Sequence, residues 1–286
     1  MSLAILVLGY SRPELVERCI RSIQFLDLPP SIEVVCSIDK WSNESVKDDN
    51  RRTVSTVNKL QQHGLVDRVI LRKKNLGCAL NVTQSVAELL SEYHNVFVVE
   101  DDLEFSEKSA GLIKVASSLL SEELVSFTAY CHRSGCTAFF TSQRFRSQSW
   151  LAPRETWDGF SLEKMKDVQL TRMQKNDIRR LQGGDLLKDF AQFQQGNLDS
   201  WAVPWNIFCF LNNRKMVYPP RAFVINNSHL IGAQRTQGIQ FEYDLEHKFP
   251  MELDKTSICE NLSYLNHFSF YRRALRRMRS VFGSMV

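Results

Sequence analysis

The chain has 286 residues, of which 43% are hydrophobic and 24% charged, with a formal net charge of +4. These values fit one large soluble α/β unit and exclude disordered, collagen-like and coiled-coil chains. Five arginines, at 272, 273, 276, 277 and 279, lie among the last fifteen residues with no acid beside them; the rest of the chain carries −1. That distribution argues against a broad nucleic-acid-binding face.

The first strand is expected at Ala4–Leu8. It belongs to a six-residue apolar run, Leu3–Leu8, without a basic flank, so it reads as neither a signal peptide nor a membrane span. A turn, Gly9-Tyr10-Ser11-Arg12-Pro13, leads into a helix carrying Leu15, Val16, Cys19, Ile20 and Ile23 at helical spacing, with Pro13 in its first turn. Pro29-Pro30 ends that unit. A second strand runs from Ile32 to Ile38 and stops on Asp39. A helix around Val54–Leu60, a strand at Val66–Leu71, a turn at Lys73–Gly77 and a helix at Ala79–Tyr93 follow. The fourth strand, Val96–Val99, runs straight into Glu100-Asp101-Asp102.

This alternation of strand and helix implies a mainly parallel sheet with helices on both faces. Ligands of such sheets sit outside the carboxyl ends of the strands. Tyr10, Ser11 and Arg12, Asp39, Lys73–Gly77 and the acid triplet all fall there. Carboxylates at the end of a buried strand are costly without a positive partner. Magnesium or manganese, held by one or two carboxylates and substrate phosphates, would supply one.

Seven cysteines are scattered without a paired framework, which suits a reducing compartment. Cys131, His132 and Cys136 lack a second ligand pair at finger-like spacing, so zinc is not expected. Beyond residue 106 the alternation breaks down into aromatic-rich and polar helical segments, including "GNLDSWAVPWNIFCF" at 196–210. We divide the chain into a nucleotide-type half (1–105), a second half of the same globular unit built on it (106–250) and a C-terminal segment (251–286).

The stretch "VVEDDLEFS" resembles the DXD-type motif of GT-A glycosyltransferases, and its Glu-Asp-Asp-Leu-Glu form is similar to that of the N-acetylglucosaminyltransferase I group and related bacterial enzymes. The resemblance takes in "LAILVLGYSRPELVERCIRSI", "VVCSIDKW" and "NLGCALNV", covers about the first 110 residues, and then thins to "SWLAPRETW" and "GNLDSWAVPW". It implies an α/β GT-A (nucleotide-diphospho-sugar transferase) fold. It also implies metal-dependent transfer of a sugar, often from UDP, to a hydroxyl of a saccharide acceptor, with Mn2+ or Mg2+ as cofactor. Carried over by residue, Asp102 is the metal ligand and Glu100 and Asp101 contact donor ribose or sugar hydroxyls. Asp39 holds the base, and Tyr10, Ser11 and Arg12 line the nucleotide pocket. Asn75 and Gly77, in the loop after the third strand, are placed with the donor by position.

Inverting transfer needs a carboxylate base. Asp199, beside Trp201, is the expected one, with helix capping as its other reading; Asp185 is the runner-up. Trp150 and Trp201 could stack on sugar rings or pack in a core. His229 is expected as a second metal ligand and Arg235 as a phosphate partner, or as ordinary structural residues. Lys73 and Lys74 read as a solvated face.

In the tail, Tyr271, Leu275, Met278 and Phe282 share one helical face and the arginines take the other. Residues 268–286 would then lie on an anionic membrane surface or dock on the body. The first suits a cytoplasmic enzyme, peripheral on the inner face of the plasma membrane, whose acceptor is lipid-linked and serves bacterial surface polysaccharide assembly. The rival readings are a sugar-phosphate nucleotidyltransferase, for which the turn after strand one is poor in glycine, and a non-catalytic nucleotide- or glycan-binding module of the same fold.

Overall fold

The structure, a computed structural model, describes residues 2–119, 124–131, 138–227 and the short strand at 259–260. Its centre is a five-stranded sheet of β1 (Leu3–Gly9), β2 (Glu33–Ile38), β3 (Arg68–Leu71), β4 (Asn95–Glu100) and β8 (Trp150–Pro153), in the order β3-β2-β1-β4-β8. The first four strands are parallel and β8 closes the edge antiparallel to β4. The expected mainly parallel α/β sheet is present.

The strands are apolar without alternation because both faces are covered. Ile5, Val7, Phe97 and Val99 face a core shared with α1 (Pro13–Ser22) and α2 (Lys47–Gln62), through Val16, Ile20, Val57 and Leu60. Ala4, Leu6, Val96 and Val98 face the other, with Val82, Val86 and Leu89 of α3 (Gly77–Glu92). Helix α2 begins at Lys47, well before the expected Val54. Its inward positions include Asn50 and Thr53, so polar residues on the buried face hide the apolar period, while Asp48 and Asp49 suit its positive end.

The second half is built on this sheet. β5 (Leu103–Phe105) pairs with β10 (Val224–Asn226). A mixed sheet contains β6 (Leu124–Phe127), β7 (Phe140–Ser142), β9 (Lys215–Tyr218) and β11 (Cys259–Glu260) in the order β11-β7-β9-β6. The remaining helices are α4 (Leu112–Leu119), α5 (Arg154–Trp157), α6 (Leu162–Lys166), α7 (Arg172–Leu181), α8 (Gly184–Gln194) and α9 (Ala202–Leu211). The last four pack around Met165, Ile178, Leu186, Phe190 and Ile207. Among the described residues no helix is long and apolar enough to cross a membrane.

Strand order positions the site. From β1 the chain steps outward to β2 and β3, then returns through α3 to β4 on the other side of β1. The order therefore reverses between β1 and β4, and the loops leaving their carboxyl ends diverge around a crevice. Arg12 leaves β1 and Asp101-Asp102 leaves β4.

Candidate active site

Arg12 and the acid triplet meet across that crevice. The Nε and Nη2 of Arg12 donate to the two carboxylate oxygens of Asp101, the first at 3.2 Å. Its Nη1 donates to Oδ2 of Asp102 at 3.2 Å. The other oxygen of Asp102, Oδ1, is buried and has no hydrogen-bond partner among the described residues. Asp102 and Asp101 are 7% and 3% exposed, so this orphan oxygen is unusual.

Glu100 and Asp101 are both held above their ordinary range. Burial, then Asp102, pushes the Glu100 carboxyl up to about 8 against the pull of Arg12. Burial likewise raises Asp101 to about 6, with Arg12 opposing. For Arg12 burial works against the charge, but Asp101 and Asp102 outweigh it and hold it more firmly protonated than usual. The turn is fixed from behind by Asn227, whose N–H donates to the Asp102 carbonyl at 2.7 Å and whose Nδ2 donates to Glu104 at 2.8 Å.

A second pair of carboxylates organises the neighbouring loop. Asp39 is 5% exposed and accepts from the N–H groups of Lys40 (2.9 Å), Leu76 (2.9 Å) and Gly77 (3.0 Å), and from Asn75 Nδ2 (3.1 Å). Asp199, 120 residues beyond Ala79, accepts from the N–H of Cys78 at 2.7 Å and of Ala79 at 3.0 Å. Four successive backbone donors at the start of α3 are thus taken by two side chains from distant segments. This is the work a local cap does elsewhere, and Leu76 at the cap position makes no such side-chain bond. Gly77 has a φ of +78°, and a Cβ there would lie 2.6 Å from Asp199 Oδ2, so only glycine fits.

Several expectations change with these positions. Arg12 was expected to line the nucleotide pocket; it is the positive partner of Asp101 and Asp102, so Asp101 carries an ion pair where a donor contact was expected. Asp39 and Asn75 are staples of the β2 and α3 loops, with both Asp39 oxygens engaged by protein. Tyr10 braces the same region, its hydroxyl 2.8 Å from Ser42 Oγ and accepting from Ser42 N at 3.0 Å; Ser11 beside it is half-buried. Asp199 is exposed and acts as a cap, although for α3 rather than for the segment that follows it. Asp185 pairs with Arg144 at 3.0 Å.

Trp150 belongs to an aromatic stack. It is fully buried, stacked on Trp201 at 4.6 Å and Trp157 at 5.5 Å, with Phe145 edge-on. Its rings face protein, so it builds the core and presents no face to a sugar. Trp201, 3% exposed, belongs to the same stack. His132, Cys136, His229, Arg235 and the tail helix at 268–286 lie outside the described residues.

Asn50 was missed. Its Nδ2 donates to the carbonyls of Tyr10 (2.6 Å) and Asp39 (2.8 Å), tying the ends of β1 and β2 together. With Thr53 also on the buried face of α2, the apolar period that would have marked Asn50 as inward is broken.

No protein-family profile matches the chain, and no curated protein matches it in sequence. Solved structures match it in shape. S. aureus TarS 1–349 in complex with UDP-GlcNAc aligns with a TM-score of 0.50 at 12% identity, over 84% of this chain and 60% of that one. The fold is that of a GT-A glycosyltransferase. TarS 1–349 in a second crystal structure gives 0.49 at 14% identity, over 80% of this chain and 61% of that one. The mannosyltransferase PcManGT from Pyrobaculum calidifontis, in complex with GDP-Man and Mn2+, gives 0.40 at 16%, over 57% and 46%. The chain spans about 60% of the length of TarS 1–349, and at these identities the likeness is one of fold.

In this GT-A frame the acid turn suits a hard divalent cation. Its donors are carboxylate oxygens, and Asp102 Oδ1 is buried without a partner among the described residues. Among the described residues no three histidine, cysteine or acidic side chains converge on one point. The protein would supply one or two ligands, leaving the rest of the coordination to substrate oxygens and water.

Proposed function

We propose that the protein is a metal-dependent glycosyltransferase that moves a sugar from a nucleoside-diphosphate donor to a hydroxyl of a saccharide acceptor. The observation that carries this reading is the buried Asp102 Oδ1, without a partner among the described residues, at the point where the strand order reverses. UDP-sugars are the first donor class to test, since the TarS structure that aligns at 0.50 holds UDP-GlcNAc. The resemblance to the N-acetylglucosaminyltransferase I group supports the same choice.

Asp102 would hold Mn2+ or Mg2+, with Glu100 beside it. A bound divalent cation offsets the charge that builds on a departing diphosphate. Arg12 adds a fixed positive charge on the same side, and its fork is shaped for phosphate or carboxylate oxygens. Asp39, Asn75, Gly77 and Tyr10 keep the loops around the donor in one arrangement, which is how positioned groups lower a barrier. Asp199 holds the start of α3; serving as the inverting base would require it to release that cap and take the acceptor proton.

The test is thermal unfolding of the purified protein with UDP, GDP and their sugars, with Mn2+ and with chelator, followed by donor hydrolysis. A ligand that binds only the folded state raises its melting temperature. A Mn2+-dependent rise with one nucleotide and slow release of its sugar are expected. Binding without turnover would favour a non-catalytic module, and no shift with any nucleotide would remove the donor assignment.

A further inference from the structure

We propose that Arg12 is a built-in counter-ion that a divalent cation must displace from Asp102, and that Asp101 is the anchor that keeps Arg12 in the site once displaced. The inference rests on the donor-and-metal reading above and concerns how that site is controlled.

The guanidinium divides its donors unequally. Nε and Nη2 both go to Asp101, one to each oxygen, while Nη1 alone reaches Asp102, at 3.2 Å. The two-point contact is rigid, because a guanidinium and a carboxylate match as planar forks. The single contact to Asp102 is the weaker one. Asp102 is divided as well: Oδ2 accepts from Arg12, whereas Oδ1 is buried and without a partner among the described residues. An arginine cannot give up its charge by losing a proton. A second cation on Asp102 therefore meets a fixed positive neighbour and has to draw the Asp102 carboxylate away from Nη1.

Displacement need not expel Arg12. With Nε and Nη2 held by Asp101, the planar guanidinium stays in place and it is the Asp102 carboxylate that turns away, leaving Nη1 without its acceptor; the Arg12 side chain is 26% exposed. A freed Nη1 next to a newly bound cation is a donor for a phosphate oxygen. Cation and diphosphate would then support one another: the cation frees the donor, and the anion repays the broken ion pair. A cation alone would bind weakly. Arg12 and Asp101 become positioning residues of the donor site.

The test measures binding of Mn2+ alone, from the loss of its free-ion electron paramagnetic resonance signal, in the wild type, Arg12→Gln and Arg12→Lys. Removing a competing charge-assisted hydrogen bond should tighten Mn2+ binding by roughly tenfold in Arg12→Gln, with Arg12→Lys between. UDP or GDP should tighten Mn2+ binding more in the wild type than in Arg12→Gln. In case the variants fold poorly, arginine side-chain nitrogen resonances of the wild type are followed as Mg2+ is added with UDP or GDP. The Arg12 Nη1 signal should move while Nε and Nη2, held by Asp101, stay. Equal or weaker Mn2+ binding in folded Arg12→Gln, or an Nη1 signal that does not move, would overturn the counter-ion role and leave the metal reading standing. No Mn2+ binding to any of the proteins, with or without UDP or GDP, would remove the metal reading itself and this proposal with it.

Discussion

Gly77 and Asp199 are fitted to one another: the carboxylate of Asp199 lies where a side chain at position 77 would begin, 2.6 Å from the site of its Cβ. Gly77→Ala should therefore be destabilising twice over. A left-handed alanine costs about 1–2 kcal/mol, and the Asp199 cap must shift as well, a loss of about 1 kcal/mol. Asp199→Ala alone should cost that second amount. Because the clash disappears when the carboxylate is gone, the double variant should be more stable than the sum of the two single losses predicts. Urea unfolding of the four proteins checks this, and strict additivity would show that the two residues do not interact.

Capping and general-base duty separate at Asp199→Asn. An amide oxygen can still accept from Cys78 or Ala79, so a cap survives in part. A base does not survive, and activity would fall about 10²–10⁴-fold. The contacts at 2.7 and 3.0 Å lead us to expect a small change in turnover and a modest drop in melting temperature. A collapse of kcat in a fully folded Asp199→Asn protein would make it the base.

Asp39→Ala should be among the more damaging single changes in the first half. It leaves the Leu76 and Gly77 N–H groups without their acceptor, at about 1–3 kcal/mol each where a buried group stays unsatisfied. Asp39→Asn should recover part of that loss. Denaturant midpoints measure it, and nucleotide affinity measured alongside shows whether the loop is disordered with respect to the donor.

The acid turn makes metal-free stability depend on pH in a definite direction. Glu100 is raised from an ordinary 4.5 to about 8 and Asp101 from 3.8 to about 6, mainly by burial. Between those ordinary and raised values the folded protein binds more protons than the unfolded chain, so stability falls as pH rises. The contribution is fully present below about pH 4 and is lost as pH passes about 6 and then about 8. Chelator-treated wild type should therefore lose stability relative to Glu100→Gln between about pH 5 and pH 8. An unchanging difference across that range would contradict the burial assigned to Glu100.

Trp150 should behave as a core residue. Trp150→Ala should cost about 3–5 kcal/mol, whereas Trp150→Phe should fold and leave KM for the donor unchanged. A donor KM raised in Trp150→Phe without loss of stability would restore the sugar-stacking expectation.

The first hundred residues were legible because their strands are apolar on both faces and their helices carry an apolar stripe. Val82, Val86 and Leu89 marked α3 at once; Asn50 and Thr53 concealed the first half of α2. At the site, sequence could show that Glu100, Asp101 and Asp102 needed a positive partner, because that follows from the charge of three adjacent acids. It could not show that Arg12 was in reach, since that depends on β1 and β4 being neighbours in the sheet. The Asp199 cap was hidden for the same reason: an N-terminal cap is normally sought one residue before its helix. Trp150 and Trp201 were ambiguous because sugar faces and aromatic cores demand the same side chain.

The shared cap on α3 ties the order of folding to the assembly of the site. Asp199 closes a loop of about 120 residues onto Cys78, and contacts this distant in sequence form late because closing long loops is entropically slow. The sheet edge carrying Asp39 can form early, but the start of α3 reaches its final shape only when the helices of the second half are in place. A nascent or partly unfolded chain would hold the acid turn without a finished β3–α3 loop, so the assembled site depends on chain made as late as Asp199.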